Sequence, residues 1–254
     1  MRRLRIAARS FGAALLLVTA WCVSPAMAAK LENTFYAAST TLFFKVSDAA
    51  LRKLLPAGWE LVAVPQMQGG NLTATFSDIL ASETADGRPG DTARAVWLSV
   101  PVQKAGTGER AGAVLGGFAS NASFAPGPYG NYALAQARLD RRRQVEGSGA
   151  LVSEEWQFAD DNGAKVELRL AFTDGPAQHL KPPPSNVLSA TKPSLRRINK
   201  TEVVALQLRS GDSNAVKDVS FAASGSLFSP LFNDSEQLIA IISAPWLVTQ
   251  VLLP

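Results

Sequence analysis

The sequence predicts a mainly β fold of the α+β class with a few short helices, in one domain over residues 29–254. Three observations carry that expectation. The apolar residues fall in short runs rich in Val, Ile, Thr, Phe and Trp, Gly- and Pro-containing breaks separate those runs, and one segment alone keeps helical spacing. In chain order, "TTLFFKV" (40–46) is apolar and β-branched and reads as a strand. In "SDAALRKLLP", Ser47 is placed to cap a helix and Asp48 lies in its first turn. Ala50, Leu51, Leu54 and Leu55 share a face and Pro56 stops the segment, so a short amphipathic helix is expected. "WELVAV" (59–64), "NLTATFSDILASE" (71–83) and "RAVWLSVPV" (94–102) are strands set between the breaks "PQMQGG" and "ADGRPGD".

In the second half, "GALVSEEWQFADDNGAKVELRLAF" (149–172) is a hairpin turning on Asp160-Asp161-Asn162-Gly163, since Asn-Gly adopts the positive φ of a tight turn. Val166, Leu168, Leu170 and Phe172 share one face while Glu167 and Arg169 take the other, so one side of this sheet should be wet. "SLRRINKTEVVALQLRS" (194–210) and "VKDVSFAASGSLF" (216–228) continue as strands. The closing "SEQLIAIISAPWLVTQVLLP" is highly apolar, and Leu238, Ile239, Ile241, Ile242, Trp246, Leu247, Val251 and Leu252 are expected in the core.

The N-terminus places basic Arg2, Arg3, Arg5 and Arg9 before an apolar run from Phe11 to Val23 and then Ala26-Met27-Ala28. That is the order of a secretory signal peptide over residues 1–28, and it predicts a periplasmic or secreted protein. The run is too short for an ordinary spanning helix, and no later segment supplies ~20 uninterrupted apolar residues. The leader holds four of the 25 Lys and Arg and none of the 21 Asp and Glu, so the mature chain is balanced at 21 against 21. A neutral chain lacks the basic footprint that nucleic-acid binding needs. Its only cysteine, Cys22, leaves with the leader, and the lone His179 lies in the Pro-rich "DGPAQHLKPPPSNV", read as an exposed loop. Neither a Cys- or His-rich metal site nor a cofactor is expected.

The densest charge run is "YGNYALAQARLDRRRQVEG" (129–147). If its second half is extended, Arg141 and Arg143 share one side and Arg138, Asp140 and Arg142 the other, so at most one set faces a pocket. The plain reading is a charged strand edge paired with Glu146, Glu154 or Glu155. The alternative is an anion clamp.

Three stretches together resemble the acetoacetate decarboxylase family: "VSDAALRKLLPAGWEL" (46–61), "KPSLRRIN" (192–199) and "SPLFNDSEQLIAIISAPWLVTQVLLP" (229–254). The resemblance implies a closed, cone-shaped antiparallel sheet with a ligand pocket inside, and a homo-oligomer. In active members a lysine forms a Schiff base with a β-keto acid, beside a second lysine, carboxylates and an arginine. The family keeps those lysines in a Gly-Arg-Glu, then Tyr-Pro-Lys-Lys motif. Here the matching stretch is "YGNYALAQARLDRRR", with Gly130 and Tyr132 retained, Asn131 in the Arg-Glu region, and no lysine. Guanidinium stays protonated and forms no imine. The family's arginine before the first helix is missing from "NTFYAASTTLFF", and Glu83 is the one pocket carboxylate that can be placed. No catalytic residue is identified; the ligand-binding set is Glu83, Asn131, Tyr132, Arg138, Arg141 and Arg143.

Three readings follow. The first is an exported binding protein holding a small, partly apolar carboxylate or lipid-like ligand in the cone. The second is a lyase or hydrolase using a relocated amine from Lys165, Lys181, Lys192 or Lys200, or a carboxylate. The third is an envelope protein that uses the fold without a ligand.

Overall fold

The computed structural model describes residues 29–63, 69–147, 149–210 and 213–254. The expected leader, the end of the 59–64 strand at Val64 and most of the break after it lie outside the described residues. In chain order the elements are β1 (Lys30–Lys45), α1 (Asp48–Arg52), β2 (Trp59–Leu61), β3 (Leu72–Thr84), β4 (Ala93–Lys104), β5 (Arg110–Ala119), β6 (Tyr132–Leu134) and β7 (Gln136–Glu146). They continue as β8 (Gly149–Ala159), β9 (Lys165–Thr173), β10 (Gln178–Leu180), β11 (Ser185–Ser189), β12 (Arg196–Ser210), β13 (Ser213–Asn214), β14 (Val216–Ser224) and β15 (Gln237–Leu253). Ser47 caps α1 by accepting from the Ala50 N–H, but the helix is one turn long and is the single α-helix among the described residues. β5 has no counterpart among the expected strands. Its "AGAVLGGF" run is small and Gly-rich, which hides the alternation that marks a strand.

Strands β4, β3, β1, β15, β12, β11 and β5 pair in that order, and β5 pairs back onto β4 to close a seven-stranded barrel. The sheet is not wholly antiparallel as expected: β11 runs parallel to β5. A closed ring with an odd number of strands cannot alternate direction throughout, so at least one junction must be parallel. β14, β9, β8 and β7 form a separate antiparallel sheet, with the Asp160–Gly163 hairpin where it is expected and Gly163 at φ 83°.

Register decides which face is which. Leu42, Ala74 and Leu98 stand in one cross-strand row, and Thr41, Thr75 and Trp97 in the row facing the other way. The four-stranded sheet packs on the first face, where Phe76 meets Trp156 and Phe158, and Phe44 meets Phe221. A barrel of about eight strands or fewer has room inside only for side chains, so a second sheet must lie outside. The Thr41–Trp97 face therefore lines the interior. One apolar cluster joins the two sheets, including Phe76, Leu98, Trp156, Phe158, Leu168 and Phe172.

The closing segment forms β15 as expected, and Ile241, Val251 and Leu252 are buried, but Trp246 is 42% exposed. It pairs with Val204 while its neighbour Leu247 pairs with Val203, and only one of two consecutive strand residues can face a barrel interior. Leu247 takes the inside. Trp246→Ala should accordingly change stability by less than about 1 kcal/mol in denaturant unfolding; a loss above 2 kcal/mol would mean the ring is covered in solution.

Candidate functional site

β7 is the edge of the outer sheet, and β8 pairs with it so that Arg141 faces Glu154 and Arg143 faces Val152. Alternation sends Arg142 outward, where it pairs with Asp140 at 3.2 Å. Arg141 and Arg143 turn toward the barrel. Glu154 lies on the core face between Val152 and Trp156 and is only 5% exposed, so its charge requires close partners. It has three: the Arg141 Nε donates at 2.8 Å, the Thr40 hydroxyl at 2.8 Å and the Trp156 Nε1 at 3.0 Å. Arg141 also approaches Asp78 at 3.5 Å and lies 5.6 Å from the Trp156 ring centre. Arg143 donates to Asp174 through Nε at 3.0 Å and NH2 at 2.8 Å.

Arg141, Arg143, Glu154 and Asp174 border a cleft of about 740 Å³ between the outer sheet and strands β1, β12 and β15, a volume typical of small-molecule sites. Its walls are apolar, with Val152, Phe172, Leu206 and Pro245; Ser243 adds a hydroxyl from β15, in the outward row of Thr40. The expected strand-edge pairing with Glu154 is present, joined by Asp78 and Asp174. Both had a signal in the sequence: Asp78 follows Phe76 and Glu154 follows Val152 by two residues, placing carboxylates on otherwise apolar faces.

The start of the segment that matches the family's lysine motif, Tyr129 to Leu134, packs with Phe124 just before it on the barrel interior, while its arginines go to β7 of the outer sheet. Phe124 packs with Phe35, Ala37, Ile79, Ala93 and Leu247, residues from four barrel strands. Tyr132 stacks on Trp97 at 6.3 Å across Gly117, where a Cβ would collide with the Val96 carbonyl. Tyr129 accepts a 3.4 Å hydrogen bond from Asn199 Nδ2. Asn131 Nδ2 donates to the Val114 carbonyl at 2.8 Å, its Oδ1 is buried without a partner, and the residue borders a second cavity of about 370 Å³ with Ala133, Asp160 and Leu227. Arg197 and Glu32 form a two-bonded ion pair nearby.

Burial raises the Tyr129 phenol to about 12, against an opposing effect of the Asn199 hydrogen bond, and burial followed by Tyr129 itself holds Tyr132 well above the usual phenol range. Both stay protonated in the fold above the pH at which an unfolded tyrosine ionises. The contribution of Tyr129 is therefore complete below pH 10 and is lost as pH rises toward 12, at about 1.4 kcal/mol per pH unit, and Tyr132 acts in the same direction. Denaturant unfolding at pH 9 and pH 11.5 should show that fall, and Tyr129→Phe should reduce it.

The other candidate residues lie apart. Glu83 is exposed near the end of β3, bridged to Pro89, and Arg138 is exposed on the outward side of β7; neither borders either cavity. His179 is exposed as expected, although in β10 rather than a loop, 2.7 Å from Glu202. None of the nine lysines is buried or borders either cavity.

A closed seven-stranded barrel, mostly strand and with almost no helix among the described residues, matches the acetoacetate decarboxylase-like cone fold. Solved structures bear this out. The enduracididine biosynthesis enzyme MppR superposes with TM-score 0.57 at 14% identity, over 88% of this chain and 86% of that one. An acetoacetate decarboxylase-like enzyme from Sphingomonas wittichii gives 0.55 at 16%, over 88% and 91%. Acetoacetate decarboxylase from Legionella pneumophila gives 0.51 at 12%, over 89% of each. No protein-family model and no curated protein matches the sequence.

Proposed function

We propose that this is an exported binding protein on an acetoacetate decarboxylase-like fold, which holds a small, partly apolar carboxylate or lipid-like molecule and does not decarboxylate it. Export rests on the order of basic, apolar and Ala-Met-Ala segments at the N-terminus, and N-terminal sequencing of the released protein should begin at Ala29. The observation that carries the rest is the lysine distribution. An imine-forming amine must be unprotonated, which takes burial or an adjacent cation, and Lys165, Lys181, Lys192 and Lys200 are all exposed.

The cone interior was the expected place for the ligand. The geometry favours the cleft outside it, because Phe124, Tyr129 and Tyr132 occupy the interior from the side of the lysine-motif segment. Arg141 and Arg143 border that cleft, whereas Asn131 borders the smaller cavity. MppR has been solved in complex with pyruvate, which supports a small keto acid or carboxylate as one ligand size for this fold.

The test is incubation of the mature protein with acetoacetate and borohydride. Its mass should stay unchanged and no acetone should form. A trapped adduct would overturn the reading, and its position would name the amine.

A further inference from the structure

Resting on the reading that the cleft between the sheets binds a ligand, and narrowing its two ligand classes to the lipid-like one, we propose that it selects an uncharged amphiphile, an alkyl chain ending in a hydroxyl, amide or ester, over the matching carboxylate or amine. The argument is one of charge and solvation. The cleft carries two cations, Arg141 and Arg143, and two anions, Glu154 and Asp174. Each guanidinium already has its carboxylate: Arg141 bonds Glu154 and approaches Asp78, and Arg143 turns both Nε and NH2 on Asp174. The fork that would grip a ligand carboxylate is occupied.

A bound carboxylate would leave water and bring an unmatched negative charge beside Glu154 and Asp174, while an ammonium would meet the two arginines. A hydroxyl or amide loses only hydrogen bonds to water, and Ser243, nearly buried on β15 in the outward row of Thr40, can replace them. Val152, Phe172, Leu206, Ala244 and Pro245 then receive the chain. Each methylene transferred from water should raise affinity about two- to fourfold.

Titration calorimetry of the mature protein with 1-octanol, octanoate and octylamine separates the possibilities. Octanol should bind, with octanoate and octylamine each at least about tenfold weaker, and hexanol, two methylenes shorter, about four- to sixteenfold weaker than octanol. Asp174→Asn frees Arg143 at the rim; it should strengthen octanoate about five- to tenfold relative to octanol. Arg143→Gln should do the reverse, weakening octanoate further and strengthening octylamine, and it provides a second reading if Asp174→Asn does not fold. Octanoate binding as tightly as octanol to the wild-type protein, or an octanol-to-octanoate ratio unmoved by both variants, would overturn the inference while leaving a binding cleft in place. Failure of all three ligands to bind would overturn the cleft as a site, and this inference with it.

Discussion

Phe76→Ala should destabilise the protein by about 3–5 kcal/mol, the usual loss for a large aromatic removed from a core. Phe76 is fully buried on β3, on the outer face of the barrel, with ring centres 5.7 Å from Trp156, 6.2 Å from Phe158 and 6.3 Å from Phe221. It is the point where the barrel touches three aromatic rings of the outer sheet. Removal opens a cavity that neither sheet can close, because each is held by its own hydrogen-bonded ladder. Denaturant unfolding measures the loss, and hydrogen exchange should show β7, β8, β9 and β14 loosening before the barrel strands. A loss below 1 kcal/mol would mean that the two sheets do not share a core.

Glu154→Ala should cost about 3 kcal/mol. Breaking a buried ion pair from one side typically costs about 3–5 kcal/mol; Arg141 keeps about a quarter of its side chain in water, so the lower end applies. Thr40 and Trp156 also lose their acceptor, and Trp156 is fully buried with no water to replace it. Glu154→Gln keeps an acceptor oxygen and should cost less than half as much. A double-mutant cycle with Thr40→Val should be non-additive, since both changes break the same bond. Additive losses, or an alanine variant within 1 kcal/mol of wild type, would show that the carboxylate is solvated.

The alternation along 149–172 was readable because that sheet has one wet and one dry face, so Val166, Leu168, Leu170 and Phe172 declare themselves against Glu167 and Arg169. The Asp160–Gly163 turn was readable because its backbone demand falls on a single glycine. The barrel was harder. Its strands are covered on the outside by a second sheet and filled on the inside by side chains, so β5 shows no alternation and β1 extends to Lys30, well before the expected "TTLFFKV". Trp246 misleads for a related reason: apolar residues on both faces of β15 look alike in sequence, and only pairing to β12 tells inside from outside.

For the candidate site, the sequence by itself settled that the stretch resembling the family's lysine motif offers no lysine, and that Arg141 and Arg143 must share a side opposite Arg138 and Arg142. Those are matters of residue identity and of the two-residue repeat of a strand, and neither depends on what lies across from it. Whether the arginines are free or matched is another kind of question. Glu154 reaches Arg141 from the neighbouring strand β8 and Asp174 reaches Arg143 from the turn after β9, both within the outer sheet, and the packing of that sheet against the barrel adds Asp78 from β3. Charge compensation acts over a few ångströms of space, whatever the separation along the chain. The tertiary structure therefore decided that both arginines of the cleft are paired.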